Sequence, residues 1–345
     1  MLNLSQNGCS VWVASSTEGL LTPTAVALGK FDGVHLGHQR VIQPILQSAG
    51  NQEKPHIGEN SAQSDRKNLR PYSTVVTFDP HPHEFFTGQP RALLTPLDEK
   101  VQQLRSLGVE QLVLLPFDRD LSALSPEEFV DRILVQQLQC QEISVGQDFC
   151  FGKRRMGTAQ DLQMLAGKYN IPVTIVPIQK DGDSLPATDD NRISTSLIRE
   201  SLAIGDIAKA NRLLGRPYTL SGEVIAGEKL GRTIGFPTAN IQLPKDKFLP
   251  RHGVYAIAVI IHDPTLDTPP IHKLGVMNIG NRPTVNGIDT RVEAHLLDWS
   301  GDLYGKNLVV QLVKFLRPEQ KFSSLEALKN QIQLDCTAAQ TIFNT

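Results

Sequence analysis

Residues Gly29 to His38 read GKFDGVHLGH, ten residues that pack glycines, a carboxylate and two imidazoles between an apolar run and a helical pattern. Upstream, TAVAL (Thr24 to Leu28) is short and apolar, as a buried strand is. Downstream, in QRVIQPILQ (Gln39 to Gln47), Val41, Ile42, Ile45 and Leu46 recur at helical spacing. A loop running from a strand into a helix is an anion site, because the first N–H groups of the helix lack internal partners and face the ligand with the positive end of the dipole. His35 and His38 flank Gly37, so two imidazoles beside bare backbone can donate hydrogen bonds to a phosphoryl group as charge builds on it. No GxxxxGK[ST] phosphate loop exists, since none of the GK pairs at Gly29, Gly152, Gly167 and Gly305 is followed by Ser or Thr.

The stretch fits GxFDGxHxGH and so resembles the first signature of the nucleotidyltransferase superfamily, its flavin-nucleotide branch in particular. A chain of 345 residues is too long for one ordinary core and predicts two domains. With 40% hydrophobic and 20% charged residues it reads as soluble and globular, and a net charge of −2 gives no electrostatic case for nucleic acid or an anionic membrane as partner. The first basic residue is Lys30 and no apolar run approaches a bilayer span, so the expected location is the cytoplasm. Cys9, Cys140, Cys150 and Cys336 are widely spaced and form no CxxC, which predicts reduced, mostly buried thiols.

Gly50 to Pro71 is polar and without periodicity, the pattern of a surface insertion with a linker-like role. Strand-length apolar runs follow at Ser73–Phe78, Gln111–Phe117, Glu142–Gly146 and Ile171–Ile178, with helical stretches between most of them. Ser125-Pro126-Glu127-Glu128 opens one such helix with an N-cap serine, proline at N1 and glutamate at N3. This alternation predicts a parallel sheet covered on both faces. From residue 217 on, strands at Thr219–Gly227, Gly253–His262, His272–Gly280, Thr290–Trp299 and Asn307–Leu316 are divided by turns, which predicts a small antiparallel barrel or sandwich. Val292, Ala294 and Leu296 should face inward and Glu293, His295 and Leu297 outward. A last helix, capped by Ser323 with Glu326 three residues on, should seal the barrel with Leu325, Leu328 and Ile332. The reading is thus 1–186 for an α/β domain with its motifs extending to about 200, 187–216 for two short helices broken at Gly205 and ending at Gly215 and Pro217, and 217–345 for the barrel.

Three further pieces belong with the opening motif. TFDPHP puts Asp79 and His81 beyond the carboxyl end of a strand, where ligands of such sheets sit; VGQDFCFGKRRMG adds Asp148, Arg155 and Gly157 after the next; and RISTSLIR joins Arg192 and Arg199 to hydroxyls at a helix start, which suits a triphosphate tail. Together they resemble the FMN adenylyltransferase module of bifunctional bacterial riboflavin kinase/FAD synthetases over residues 24 to 200. The resemblance implies a Rossmann-like nucleotidyltransferase sheet in which His35 and His38 bind ATP phosphates and stabilise the transition state at the α-phosphorus. It also implies that Gly29, Phe31, Asp32 and Gly37 join them in binding ATP and its phosphates, with Asp32 equally able to cap the turn. Arg192, Thr195, Ser196 and Arg199 would hold the leaving diphosphate, and Asp79, His81, Asp148 and Arg155 the flavin side. The family order ISSTxIR is ISTSLIR here, which keeps a hydroxyl at both Thr195 and Ser196.

GEKLGRTIGFPTAN supplies Gly227, Gly231 and Gly235, whose bare backbone can wrap a ligand, and ends in Thr238 and Asn240, neutral oxygen donors suited to a Mg²⁺ that is held chiefly by substrate phosphates. With VEAHLLDW and LRPEQKF it resembles the riboflavin kinase module over residues 217 to 335. That resemblance implies PTAN as the Mg-ATP site, Glu293 as the general base for the riboflavin 5′-hydroxyl and Arg317 facing the flavin, where a plain salt bridge to Glu319 is the bland alternative. His252, His272 and His295 read as ordinary structural histidines.

The whole implies FAD biosynthesis: riboflavin and ATP give FMN, then FMN and ATP give FAD and diphosphate, with ATP, riboflavin, FMN and FAD as the small-molecule partners. Self-association is left open. The alternatives are a flavin-binding sensor, a single-activity adenylyltransferase with a non-catalytic barrel, or an HxGH transferase for another acceptor.

Overall fold

The structure, a computed structural model, describes residues 2–3, 11–50, 70–182, 192–227, 230–262, 269–284 and 287–344. Most of the Gly50 to Pro71 insertion, and therefore its expected role, lies outside the described residues. The chain divides into two compact units, Met1–Ile193 and Ser194–Thr345.

In the first unit the strands are β1 (Leu2–Asn3), β2 (Trp12–Ala14), β3 (Thr24–Leu28), β4 (Tyr72–Asp79), β5 (Gln111–Pro116), β6 (Cys140–Gly146), the short pair β7 (Cys150–Phe151) and β8 (Gly157–Thr158), and β9 (Val173–Val176). One sheet runs β1-β2-β5-β4-β3-β6-β9 and is parallel except where β1 meets β2. Its central strands are buried on both sides, and their side chains alternate between two cores. Ala25, Ala27, Val75 and Leu112 pack with Val41, Ile42 and Ile45 of α1 (Leu36–Gly50) and with Val101 and Leu104 of α3 (Leu97–Ser106), the short α2 (Pro82–Thr87) lying between them in sequence. Val26, Leu28, Val76 and Val113 pack on the other face. After α4 (Arg119–Ala123) comes α5 (Pro126–Glu128), which opens with the expected capping box, Ser125 to Glu128, and continues as a π-helical stretch over Phe129–Gln137. Phe129, Val130, Ile133 and Leu134 of that stretch cover the second face together with Leu162 and Leu165 of α6 (Ala159–Gly167).

The second unit opens with α7 (Thr195–Ile204) and α8 (Ile207–Leu214), each ended by a glycine in the left-handed region, Gly205 at φ 86° and Gly215 at φ 71°, as the sequence predicts. Then follow β10 (Tyr218–Ile225), α9 (Leu230–Thr233), β11 (Ala239–Gln242), β12 (Gly253–His262), β13 (Ile271–Thr284), β14 (Gly287–Leu296), β15 (Asn307–Arg317) and α10 (Leu325–Asn344). Six antiparallel strands close a barrel in the order β10-β11-β14-β13-β12-β15. Val292, Ala294 and Leu296 are buried while Glu293 and His295 are half-buried, which is the expected alternation.

Two local expectations are corrected. The hydroxyl of Ser324, not Ser323, accepts from the Ala327 N–H, so the final helix begins one residue later than predicted. Leu325, at the start of the helix, is 60% exposed, and α10 packs on the barrel through Ile332, as expected, and through Cys336, Ala339, Ile342 and Phe343 against Val254, Ala256 and Val276. Strand β11 was not foreseen, because four residues following Pro-Thr carry too little pattern. Of the three described cysteines, Cys140 and Cys336 are buried and Cys150 is half-buried; burial pushes the Cys140 thiol up to about 12 and the Cys336 thiol up to about 11.

Candidate active sites

The chain leaves β3 through a loop with three positive backbone angles within four residues: Phe31 at φ 45°, Gly33 at 94° and Val34 at 42°. Left-handed angles on a phenylalanine and a β-branched valine are costly and persist only where the surroundings enforce them. Asp32 does part of the enforcing. It is 2% exposed and its carboxylate accepts from the N–H groups of Leu94, at 2.7 Å, and Thr95, at 3.3 Å, while the Thr95 hydroxyl accepts from Gly33 N–H at 2.9 Å. Asp32 thus ties the loop to the Leu94–Thr95 segment, a long-range contact and not a cap on its own turn.

The loop delivers His35 to the first turn of α1, where its Nδ1 accepts from His38 N–H at 3.2 Å. An Nδ1 that accepts leaves the proton on Nε2, which can then donate. The two imidazoles are stacked, centroids 3.6 Å apart and planes 14° apart, and the Phe31 ring lies against His38 at 5.2 Å. Gly29 and Gly37 make this possible: a Cβ at Gly29 would stand 3.1 Å from the Phe31 ring, and one at Gly37 would stand 3.1 Å from the His35 ring. The carbonyl of Ile193 lies 3.8 Å from that same point at Gly37, so the start of the RISTSLIR segment reaches the histidine loop.

Arg192 and Ile193 are pinned there by a bridge between Arg192 and Lys180 and by a 2.9 Å bond from Ile193 N–H to the Gln179 carbonyl. Arg192 forms an ion pair with Asp148, so two residues singled out separately in the sequence meet. The other three, Thr195, Ser196 and Arg199, stand in the first turns of α7, which Ser194 caps by accepting from Leu197 N–H. The Arg199 guanidinium lies over the Phe248 ring at 4.7 Å. Asp79 is exposed at the end of β4, and His81 caps α2 by accepting from His83 N–H at 3.1 Å.

Charge around His81 is strongly positive. Burial, followed by Arg91 and Lys30, lowers its imidazole to about 4, against a smaller opposing pull from Asp32. Lys30 is exposed as a residue, yet protein crowding around its ammonium, then Arg155 and Arg91, hold it below the ordinary lysine range, with Asp148 opposing. Arg155, itself exposed and at φ 59°, therefore shares one electrostatic neighbourhood with Lys30, Arg91, His81 and Asp148. An imidazole held low beside two cations, Lys30 and Arg91, is a setting that an anionic ligand would relieve.

In the barrel, register does the assembling. Glu293 of β14 stands opposite Asn240 of β11 on one side and opposite Asn278 of β13 on the other. Glu293 is about one-third exposed, and Arg291 approaches its carboxylate at 3.9 Å. Gly227 packs against the Asn240 amide, whose nitrogen lies 2.1 Å from where a Cβ would be. Gly231 similarly abuts the Phe236 carbonyl, at 2.3 Å, with the Thr238 hydroxyl 3.3 Å away. Gly235 takes φ 91° at the turn just before Thr238, a position that favours glycine. Arg317 does not pair with Glu319 as the bland alternative has it. Its guanidinium makes a two-pronged pair with the buried Asp335 of α10, at 2.8 and 2.9 Å, and lies 5.8 Å from the Phe322 ring. The Glu319 carboxylate instead covers Gly280.

Comparison with known proteins follows the same division. The family model for FAD synthetase matches residues 18–188 and that for riboflavin kinase matches residues 214–343. The bifunctional riboflavin kinase/FMN adenylyltransferase of Escherichia coli strain K12 is 38% identical over 319 residues, covering 92% of each chain, and that of Bacillus subtilis strain 168 is 35% identical over 327 residues, covering 93% of each. The chain belongs to the bifunctional riboflavin kinase/FMN adenylyltransferase family. A crystal structure described as a macrolide-efflux protein from Streptococcus pneumoniae superposes with a TM-score of 0.76 at 28% identity over 94% of this chain and 97% of that one. Efflux is said of that protein; among the described residues here, no helix is long and apolar enough to cross a membrane.

For a member of this family, sequence reasoning overlooked Lys30 and Arg91 near the histidine loop and Asn278 beside Glu293, and it set His295 aside as a structural histidine. Lys30 sits inside the opening motif, and His295 shares Glu293's face of β14, so both carried a readable signal. Arg91 carried none, because its loop joins the site only through the fold.

Proposed function

We propose that the protein makes FAD from riboflavin in two ATP-dependent steps run at separate sites: a kinase step on the barrel and an adenylyl transfer at the histidine loop. Two sites are required because the first step attacks the γ-phosphorus of ATP and the second the α-phosphorus, and one geometry cannot present both in line. The observation that carries the reading is the cross-strand pairing of Glu293 with Asn240. It puts a carboxylate able to take the 5′-hydroxyl proton of riboflavin beside the PTAN amide, on one rigid pair of strands.

In the kinase step Glu293 accepts the hydroxyl proton while the glycine-rich segment around Gly227, Gly231 and Gly235 wraps the nucleotide. Thr238 and Asn240 suit Mg²⁺, since a hydroxyl and an amide are neutral oxygen donors. Among the described residues, no group of three or more His, Cys, Asp or Glu side chains could hold a metal by itself, which fits an ion that arrives on the phosphates. That ion would neutralise phosphate charge. Arg317, held by Asp335, is assigned to the flavin side by motif.

In the transfer step a phosphate oxygen of FMN displaces diphosphate from ATP. His35, with its proton on Nε2, and His38 donate toward the α-phosphate, while Gly29, Phe31, Asp32 and Gly37 fix their loop. Arg192, Thr195, Ser196 and Arg199 take the leaving diphosphate, and Asp79, His81, Asp148 and Arg155 the flavin side. Catalysis here is positioning and charge stabilisation, with no covalent intermediate. Residues 1–186 with the motif extension to about 200 serve the transfer, 217–345 the kinase step, 187–216 join them, and the enzyme works in the cytoplasm on small molecules.

The test is to incubate purified protein with riboflavin and Mg-ATP, and separately with FMN and Mg-ATP, and to resolve the flavins by chromatography. FMN then FAD in the first tube and FAD in the second is the expected result. FAD only from FMN would make the barrel a binding domain, and no conversion in either tube would leave a flavin sensor or another acceptor.

A further inference from the structure

Strand β14 carries, on the face that bears Glu293, one more group with a specific contact. His295 follows Glu293 at the spacing that returns a strand side chain to the same face. Its Nδ1 lies 2.8 Å from the carbonyl oxygen of Pro237, and its ring meets the Phe236 ring edge-on, centroids 5.3 Å apart at 76°. A carbonyl oxygen can only accept, so Nδ1 holds the proton and donates.

Phe236 and Pro237 are the two residues before Thr238. The segment they belong to folds back on itself, with Phe236 N–H bonded to the Gly231 carbonyl at 2.8 Å and a left-handed Gly235 at its bend. Immediately after Thr238 the chain becomes β11, where Ala239 pairs with Ala294 and Asn240 with Glu293. The end of the glycine-rich segment is therefore clasped to β14 at one point and paired with it at the next two.

We propose that His295 is a positioning residue for the kinase step, a clasp that holds the Thr238 turn to the same strand that carries Glu293. This rests on the reading of Thr238 as nucleotide-side and Glu293 as base. A turn released at Gly235 must be ordered again each time the nucleotide binds, and that ordering weakens binding of the nucleotide rather than of the flavin.

The experiment uses the full chain and three proteins: wild type, His295→Phe, which keeps a ring against Phe236 but has no donor, and His295→Gln, which restores an N–H donor. FMN formation is followed while Mg-ATP is varied at saturating riboflavin and while riboflavin is varied at saturating Mg-ATP, with FAD formation from FMN as the control. Loss of one such hydrogen bond should raise KM for Mg-ATP roughly tenfold in His295→Phe. KM for riboflavin and the rate of FAD formation should stay at wild-type values, and His295→Gln should recover most of the loss. An unchanged KM for Mg-ATP in His295→Phe would overturn the clasp. So would equal loss on both substrates without recovery by glutamine, which would mark His295 as a merely structural residue. A wild-type chain that forms no FMN would overturn the underlying reading, and the proposal with it.

Discussion

The two sites are held together in opposite ways. At the histidine loop the side chains hang on connections beyond the strands, and the shape comes from strained backbone at Phe31 and Val34, from Asp32 gripping Leu94 and Thr95, and from glycines that make room for rings. In the barrel, Asn240, Glu293 and Asn278 lie on three adjacent strands in fixed register, so closing the barrel is enough to align them. A loop-built site can gather groups from distant parts of the chain, at the cost of backbone strain; a strand-built site is stiff but limited to what its face presents.

The largest expected effects test whether the two are independent. Glu293→Gln should lower FMN formation by about 10²- to 10⁴-fold, the usual share of a general base, and leave FAD formation from FMN unchanged. His35→Ala with His38→Ala should do the reverse, with a loss of about 10²-fold or more in FAD formation as transition-state donors are removed. Separate assays of the two conversions, with circular dichroism to confirm folding, check both. If either change abolished both activities in a folded protein, the separation of sites would be wrong.

Next in size is a pair of glycine substitutions that compares how stiffly the two units are built. A Cβ on Gly222 of β10 would sit 2.1 Å from the backbone carbonyl oxygen of Gln242, an atom that cannot move without opening the β10–β11 ladder. Gly222→Ala should cost about 1–3 kcal/mol. Gly167, the last residue of α6, has no atom within 4 Å of its Cβ position and no left-handed angle, so Gly167→Ala should gain about 0.5 kcal/mol. Urea unfolding of both variants measures the contrast, and equal effects would remove it.

The same difference in construction decides how much was legible in the sequence. GVYAIAVIIH was read with the bounds that β12 has, Gly253–His262, and TAVAL with those of β3, Thr24–Leu28, because a short apolar run bounded by turn residues has few other outcomes. The alternation around Glu293 gave its face, and two left-handed glycines marked the ends of α7 and α8. What stayed hidden depends on contacts between distant residues. Nothing local to Arg317 announces Asp335, and nothing near Arg91 announces His81; the π-helical stretch at Phe129–Gln137 follows a capping box that would serve an α-helix equally well. Family motifs supplied roles for individual residues, while the fold alone supplied their neighbours.

Arg317 sharpens this point within the barrel. Asp335→Asn removes the charge from a pair in which Asp335 is 6% and Arg317 18% exposed, and should cost about 1–3 kcal/mol in urea unfolding. If Arg317 also serves the flavin, freeing its guanidinium will raise KM for riboflavin and leave KM for Mg-ATP alone. Loss of stability with both KM values unchanged would confine Arg317 to fastening α10.

The smallest effect belongs to the loop-built site and is read through pH. The His81 imidazole is lowered from 6.5 to about 4, so between those values the unfolded chain binds a proton that the folded chain refuses. Its contribution is therefore intact above about pH 6.5 and is lost progressively as pH falls toward 4. His81 is only half-buried, so solvent and salt should hold the loss to about 1 kcal/mol or less. His81→Asn keeps an acceptor for His83 N–H but cannot titrate, and it should flatten the acid side of the stability curve over that range. Inorganic diphosphate supplies a second arm. If Lys30 and Arg91 face the phosphates of a bound ligand, added diphosphate will offset their charge, let His81 take up its proton at higher pH, and flatten the wild-type curve in part, burial still holding the imidazole low. A wild-type curve whose slope ignores diphosphate would put His81 and its two cations outside the phosphate site and leave His81 with the capping of α2 alone.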